Sequence, residues 1–324
     1  MNRKKIVYSL LITLILLLAL YARWPGFYMD TKYRDIFFTF QEGKRIAAGE
    51  NPYERLLQSD MIHNQKYPTY LPPMYLFSAL MVKAGLGEFK DFLVFWRILI
   101  LIFDIALGIF IYAINAREKP LTGIFTAFVW FFSRWTLYPW EIANTESVVL
   151  FFMVLSLYYW KKRPIAASLL FGAALGIKHF GILFLPILLA QSRDIKEAAK
   201  RLGLILAIPL ATSLPFFAWS PVGFSKGIFF NIVREAGYHL LEDSKSLIIL
   251  FGGHGILLRF FLFIAYILFW MVAIREKWNL WLAAGVSFLL FLSFNPVLFT
   301  QYFIWPLPFC LVYLRELKTG ENPD

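Results

Sequence analysis

Asp35 is the acidic residue whose surroundings best suit proton transfer. It lies near the start of a predicted amphipathic helix, residues 31–48, and Glu42 falls two turns further along the same helix face. A carboxylate in this position could act as a general base toward a hydroxyl group. A solvent-exposed ion pair with Arg34 or Lys32 is the simpler explanation of Asp35, and its position alone favours that pairing.

Basic residues in or beside apolar segments form a second group. They are Arg97, Arg134, Lys178, His179 and Arg259. An ionisable group at membrane depth costs roughly 2.5 to 3.5 kcal/mol on insertion scales, so such groups tend to be paired or functional. Several of them around one cavity would suit an anion. Two structural explanations compete, an ion pair of Arg97 with Asp104 on one helix face and a Lys178 side chain that snorkels to the interface.

Two predicted turns carry amides and acids that could bind a sugar. Glu141, Asn144 and Glu146 lie within one short turn, where helix capping is an equally good explanation. Gln301 and Tyr302 lie in another turn, between aromatic residues and prolines. That composition suits recognition of a saccharide or a lipid headgroup, and an interfacial aromatic anchor is the alternative.

The composition requires a membrane around these residues. Hydrophobic residues make up 59% of the chain and charged residues 16%, with a mean hydropathy of +0.62, whereas soluble domains carry about 25% charged residues. The net charge is +11, but Lys and Arg are spread over short hydrophilic breaks, which fits the positive-inside rule and not nucleic-acid binding. With Cys310 as the single cysteine, an internal disulfide and a cysteine-based zinc site are excluded.

The apolar runs predict a bundle of membrane-spanning helices, each of about 20 residues or slightly fewer. Ten runs fit: 6–22, 92–115, 120–135, 145–160, 165–178, 179–190, 202–218, 255–274, 278–293 and 302–314. Placing every Lys- and Arg-rich break in the cytoplasm requires that residues 70–86, which contain Pro72 and Pro73, do not cross. We therefore predict a re-entrant or juxtamembrane segment there, two cytoplasmic termini and long outer loops at 23–68 and 220–247. No internal repeat or linker is apparent, so residues 1–324 form one predicted transmembrane domain.

Five short motifs occur in an order that resembles one superfamily of membrane enzymes. They are the D…G.NPY-like stretch 35–53, Tyr70-Leu71-Pro72-Pro73, Ala143 to Glu146, Gly176-Ile177-Lys178 followed by Pro186, and Phe299 to Pro308. Together they resemble the GT-C glycosyltransferases that use polyprenyl-phosphate sugars, above all glycosyltransferase family 87 and related mannosyltransferases that extend lipid-anchored glycans.

This resemblance implies a GT-C-like fold and an inverting sugar transfer on the extracytoplasmic face. Asp35 matches the catalytic acid of the family and would act as the general base. The donor would be a polyprenyl-phosphate sugar, with mannose the first candidate, and its phosphate would meet Lys178, His179 and Arg259. Glu141, Asn144, Glu146, Gln301 and Tyr302 would bind the sugar or the acceptor.

The same resemblance sets the expected partners and location. The acceptor would be a lipid-linked glycan or another hydroxyl compound, and the lipid bilayer is itself a partner. We expect no metal or other cofactor, no nucleic acid, and a plasma membrane of a prokaryote in preference to the endoplasmic reticulum.

Two other functions fit the residues taken without the resemblance. A transporter or lipid flippase also carries intramembrane charges and proline-broken helices, although no internal duplication is visible. A structural membrane subunit is the third alternative, but it leaves the polar outer turns unexplained.

Overall fold

The protein consists of α-helices joined by turns and short 3₁₀ helices. The computed structural model describes residues 3–58, 68–117, 119–233, 255–295 and 298–317, and no strand occurs in these ranges. Their α-helices are α1 (Arg3–Arg23), α2 (Asp35–Ala47), α3 (Pro72–Lys83), α4 (Phe89–Ala116), α5 (Pro120–Phe132), α6 (Arg134–Glu141), α7 (Glu146–Tyr159), α8 (Pro164–Ile177), α9 (Leu185–Ala190), α10 (Ile195–Trp219), α11 (Pro221–Val233), α12 (Gly255–Arg275), α13 (Leu280–Phe294) and α14 (Leu307–Tyr313). The 3₁₀ helices are Trp24–Tyr28, Glu54–Gln58, His179–Phe184 and Thr300–Ile304.

Several helices are long and apolar enough to cross a bilayer. Among the described residues there are four, namely α1 with the 3₁₀ turn that follows it, α4, α10 and α12. Helices α7, α8 and α13 and residues 179–190 are apolar but shorter. All ten predicted crossings coincide with helical segments, so the all-α polytopic membrane fold is confirmed. The count of ten crossings stays a prediction.

The outer amphipathic helix begins four residues later than the sequence pattern predicted. Tyr33 has a φ of 67°, in the left-handed region, and Arg34 is extended. Neither conformation can continue into a helix, so α2 begins at Asp35. As a result Asp35 stands at the first helical position, where a carboxylate meets the positive end of the helix dipole.

The end of α2 lies where the sequence placed it. Gly49 adopts a φ of 85°, its N–H bonds to the Ile46 carbonyl at 3.0 Å, and the Glu50 N–H bonds to the Arg45 carbonyl at 2.9 Å. These two bonds form a Schellman motif, which needs a residue that accepts a positive φ at low cost. The predicted stop at Gly49 is therefore confirmed.

Residues 70–86 form a helix that is short for a crossing. Helix α3 has 12 residues and thus extends about 18 Å, against about 30 Å for a hydrocarbon core. It packs along α2 and also meets α8 and α10. This length and packing fit the predicted juxtamembrane segment.

The bundle centres on α7, α8 and α10, with α4 joining α7 to α5 and α1 packed on α5. Helices α12 and α13 pack on each other and on α9, and α14 packs on α13, α4 and α5. Close approach of α8 and α10 depends on Gly172, because a Cβ there would collide with the Ile205 carbonyl. Small residues of this kind allow membrane helices to pack backbone to backbone.

A buried ion pair inside the bundle differs from the one considered from the sequence. Asp104 pairs with Arg23 at 2.7 Å, and both side chains are almost fully buried. Arg23 also donates to the Ala19 and Phe131 carbonyls, and Ser147 donates to Asp104. The suggested Arg97–Asp104 pair was therefore wrong, since this carboxylate is satisfied by a residue on α1.

Part of the second outer loop lies outside the described residues. Helix α11 occupies its first part, while its charged residues from Arg234 to Lys245 are among those not described. The single-domain organisation of residues 1–324 stays a prediction.

The α8–α10 contact predicts opposite effects for two glycine substitutions. Gly172→Ala forces a methyl group against the Ile205 carbonyl, and we expect it to destabilise the protein by about 1 to 3 kcal/mol. Gly203→Ala is the matched control, because a Cβ there meets nothing within 4 Å and alanine favours the helix by up to about 1 kcal/mol. Thermal unfolding in detergent, followed by tryptophan fluorescence, compares the two variants. Equal melting temperatures would show that close backbone contact is unimportant here.

Candidate active site

A cavity of about 320 Å³ lies at the end of the bundle where three chain segments meet, residues 33–35, 138–144 and 299–301. All three segments fall on the side that the predicted topology makes extracytoplasmic. The cavity is lined by Tyr33, Arg34, Asp35, Tyr138, Ile142, Asn144, Phe299, Thr300 and Gln301. Three of the site residues predicted from sequence, namely Asp35, Asn144 and Gln301, thus share one cavity although they are far apart in the chain.

Asp35 is half-buried at the cavity wall and is oriented by a tyrosine. The Tyr70 hydroxyl lies 3.2 Å from its Oδ2 atom and donates to it. Burial, with the nearby Asp35 carboxylate as the next cause, raises the pKa of Tyr70 well above its ordinary value. Tyr70 therefore keeps its proton at neutral pH and remains a hydrogen-bond donor to the carboxylate.

Behind the cavity, Lys178 and Glu146 form a buried ion pair. The Lys178 Nζ atom lies 2.5 Å from Glu146 Oε1 and 3.0 Å from Asn144 Oδ1. The second carboxylate oxygen of Glu146 accepts from the Trp305 indole at 2.8 Å. Lys178 also lies 5.6 Å from the centre of the Tyr70 ring. One connected network thus joins the end of α8, the start of α7, the end of the 3₁₀ helix Thr300–Ile304 and the tyrosine that holds Asp35.

Aromatic stacking fixes the position of Trp305 in this network. Its ring stacks on Phe180 with centroids 3.8 Å apart and contacts the Tyr302 ring at a tilt of 34° with centroids 4.4 Å apart. The 3₁₀ helix that contains Gln301 and Tyr302 ends beside Trp305. Tyr302 is therefore held in the wall behind the cavity, whereas its neighbour Gln301 lines the cavity.

The turn that carries Asn144 is irregular and is held by donors from α4. Arg97 is fully buried and donates to the carbonyls of Met29, Trp140 and Glu141 at 3.1 to 3.3 Å. The Trp96 indole donates to the carbonyl of Ala143, whose φ of 55° is left-handed. Buried carbonyls in such a turn need donors, and α4 supplies them.

The remaining predicted residues lie outside the cavity wall among the residues described. Glu141 is half-buried and offers its carbonyl to Arg97. His179 begins the 3₁₀ helix after Lys178 and has a buried Nδ1 atom that finds no hydrogen-bond partner in the described structure. Arg259 is half-buried on α12, which packs against α9 and α13. Lys178 thus bonds to the cavity residue Asn144 and His179 follows it in the chain, whereas Arg259 lies on α12, which contributes no residue to the described cavity lining. Their predicted roles in phosphate binding are not tested by these positions.

Several residues at this site were not among the predicted site residues, and Tyr70, Trp305 and Arg34 matter most for its chemistry. Tyr70 lies in the quoted YLPP motif and Trp305 in the last motif, so both had a signal that could have been used. Arg34 had none beyond its place beside Asp35, since it was considered only as a surface partner for that acid. As for metals, no cluster of three or more His, Cys, Asp or Glu side chains suited to one occurs in the described ranges.

The Lys178–Glu146 pair predicts a strong dependence of stability on both partners. Glu146→Gln leaves a buried ammonium group without its carboxylate, and we expect a loss of about 3 to 5 kcal/mol in unfolding free energy. Adding Lys178→Met removes that charge and should recover much of the loss. Unfolding of single and double variants in detergent gives the coupling energy. Additive effects of the two substitutions would mean that the groups do not interact.

Comparison with known proteins gives one distant similarity. The chain is 21% identical over 323 aligned positions to GPI mannosyltransferase 1 of Candida albicans (strain SC5314 / ATCC MYA-2876), covering 90% of this chain and 77% of that protein. No family model matches and no solved structure matches. The predicted likeness to glycosyltransferase family 87 and the GT-C-like architecture therefore stay predictions. Because this relative is fungal, the choice between a prokaryotic plasma membrane and the endoplasmic reticulum also stays a prediction.

Proposed function

We propose that this chain is a membrane mannosyltransferase that moves mannose from a polyprenyl-phosphate donor to an acceptor hydroxyl on the extracytoplasmic face. The main support is that Asp35 lines the same cavity as Asn144 and Gln301, and that the Tyr70 hydroxyl donates to the Asp35 carboxylate. The similarity to a GPI mannosyltransferase over most of the chain supports both the reaction class and the sugar.

The cavity suits a single displacement at the anomeric carbon. Asp35 takes the proton of the acceptor hydroxyl as the hydroxyl oxygen attacks, and the bond from carbon to the phosphate oxygen breaks with inversion. General-base catalysis of this kind contributes roughly 10² to 10⁴-fold in rate. The leaving phosphate carries its own negative charge away, so it needs fixed positive charge and hydrogen-bond donors more than a proton.

Polar groups around the cavity can orient the sugar. Asn144, Thr300 and Gln301 line its wall and offer amide and hydroxyl groups, and Tyr138 adds a phenol ring. Groups that can both donate and accept are suited to sugar hydroxyls. Because the relative is a GPI mannosyltransferase, a lipid-linked glycan is the acceptor class that we propose.

A transporter remains the competing function for a chain with buried charges. Two buried ion pairs among the described residues are engaged in place, Arg23 with Asp104 and Lys178 with Glu146. Such pairs hold helices together in a bundle and do not by themselves form a transport pathway. The similarity to a mannosyltransferase favours transfer over transport.

Asp35→Asn gives the direct test of the general base. The amide keeps the shape of the carboxylate but cannot accept a proton, so we expect transfer of labelled mannose from a polyprenyl-phosphate donor to fall by about 10² to 10⁴-fold. Asp30→Asn is the matched control, because Asp30 is an exposed acid of the same loop outside the cavity lining. Both purified variants are assayed with a membrane lipid extract as acceptor. Transfer by Asp35→Asn at the rate of Asp30→Asn would remove Asp35 from the reaction.

Tyr70→Phe tests whether Tyr70 tunes the base. Loss of its hydrogen bond disfavours the ionised carboxylate of Asp35, and the base works only when ionised. The acidic limb of the profile of kcat/KM against pH should therefore move to higher pH in Tyr70→Phe, with activity at high pH largely retained. An unshifted limb together with a uniform loss of activity would assign Tyr70 a purely structural role.

A further inference from the structure

Among the described residues that line the cavity, the charged ones are Arg34 and Asp35. Asp35 already has the Tyr70 hydroxyl on one of its oxygens. The guanidinium of Arg34 is exposed and makes no hydrogen bond or ion pair within the described ranges. A cation held at the wall of a cavity without a counterion is available to an anionic ligand.

The conformation of the backbone just before α2 allows Arg34 to line the cavity. Tyr33, Arg34 and Asp35 are consecutive, and all three line the cavity. Successive residues of a strand point to opposite faces, and those of a helix are spread around its axis. The left-handed Tyr33 followed by the extended Arg34 escapes both patterns. The left-handed conformation of Tyr33 is strained for a residue other than glycine, and such residues cluster at functional sites.

Lys178 is less suited to the same ligand because its charge is engaged. An ammonium group has three N–H donors, and those of Lys178 reach Glu146 at 2.5 Å and Asn144 at 3.0 Å while the group also faces the Tyr70 ring. Its side chain is only 7% exposed. Lys178 therefore acts on the cavity mainly through Asn144.

The orientation of the Asn144 amide follows from these bonds. Its Oδ1 atom accepts from the Thr145 N–H at 2.7 Å and from Lys178. Both partners are donors, so the oxygen must face them and the amide nitrogen must face away. That nitrogen is buried and has no partner among the described residues. Leaving such a donor unsatisfied costs about 1 to 3 kcal/mol, which a ligand oxygen would recover.

We propose, as a refinement that rests on the proposed function, that Arg34 and the Asn144 amide seat the phosphate of the lipid donor. Lys178 and Glu146 are then positioning residues that hold Asn144. A guanidinium can bind two phosphate oxygens at once, and an amide N–H can bind a third. The adjacent residues Arg34 and Asp35 then divide the reaction, the cation holding the leaving phosphate and the carboxylate taking the proton of the acceptor.

Binding of a long-chain polyprenyl phosphate, without sugar or acceptor, tests the seat independently of catalysis. The full chain in lipid nanodiscs is titrated with this probe, and with the uncharged polyprenol to measure the contribution of the chain alone. We expect Arg34→Gln to weaken the affinity for polyprenyl phosphate by about ten- to hundred-fold and to leave polyprenol binding unchanged. Arg34→Lys should lose less, because it keeps the charge but not the planar fork. Asn144→Asp should also weaken the affinity for polyprenyl phosphate, since it replaces the N–H donors of the amide by a carboxylate oxygen.

Lys32→Gln is the matched control, an exposed cation two positions away that is outside the cavity lining. Its affinity for polyprenyl phosphate should equal that of the wild type. The melting temperatures of all variants distinguish a loss of phosphate binding from a loss of folding. Arg34→Lys keeps the test decisive if Arg34→Gln unfolds.

The outcomes separate this inference from the proposed function. If Arg34→Gln binds polyprenyl phosphate with wild-type affinity, Arg34 does not bind the phosphate. A loss of that affinity in Lys178→Ala would strengthen this conclusion. The Asp35 test would be unaffected. A wild type that ignores polyprenyl phosphate but binds inorganic phosphate or a nucleoside diphosphate sugar through Arg34 keeps the seat and overturns the polyprenyl donor. A wild type that binds none of these phosphates overturns the seat itself.

Discussion

The structure of the site depends on compensating one positive charge inside the bundle. Lys178 ends α8 at a depth where its ammonium group is almost fully buried, and a lone charge there would be very costly. Glu146, at the first position of α7, supplies the opposite charge, and Asn144 and Trp305 complete the hydrogen bonds. A buried ion pair tolerates little displacement of either group. The ends of α7 and α8 are thereby fixed relative to each other and to the 3₁₀ helix Thr300–Ile304.

A second set of buried hydrogen-bond donors fixes the first outer loop against the turn before α7. Arg97 bonds to backbone carbonyls on both sides, at Met29 in that loop and at Trp140 and Glu141 in the turn before α7. The Trp140 indole in turn bonds to the Arg23 carbonyl at 2.9 Å. Because backbone atoms carry these contacts, they fix the path of the chain whatever the neighbouring side chains are. The cavity between Asp35 and Asn144 is therefore defined by α4, although α4 contributes no residue to its described lining.

Local signals in the sequence predicted the parts of the fold that have local causes. The end of α2 follows from Gly49, and the ten apolar runs follow from the cost of polar groups in lipid. The start of α2 was wrong because the amphipathic pattern extends to residue 31, whereas the backbone at Tyr33 and Arg34 breaks the helix. The partner of Asp104 was wrong because Arg23 lies 81 residues away and only the packing of α1 on the bundle brings it near. Motif order placed Asp35, Asn144 and Gln301 in one site, yet it gave no reason to expect Tyr70 to orient the acid or Arg34 to face the cavity.

The depth of the cavity follows from the lengths of the helices around it. Helices α7, α8 and α13 have 14, 14 and 15 residues, so each extends about 21 to 23 Å along a hydrocarbon core of about 30 Å. In the predicted topology one end of each helix lies at the cytoplasmic face, so the other end stops below the outer headgroups. Irregular segments adjoin these ends, residues 141–145 before α7 and residues 178–184 after α8. In that topology they lie within membrane depth, where such backbone is tolerated only if it packs on protein or lines a cavity. Both segments do so here, since Asn144 lines the cavity and Lys178 and Phe180 are buried. A site at that depth is more accessible to a substrate whose chain stays in the lipid than to one that arrives from water.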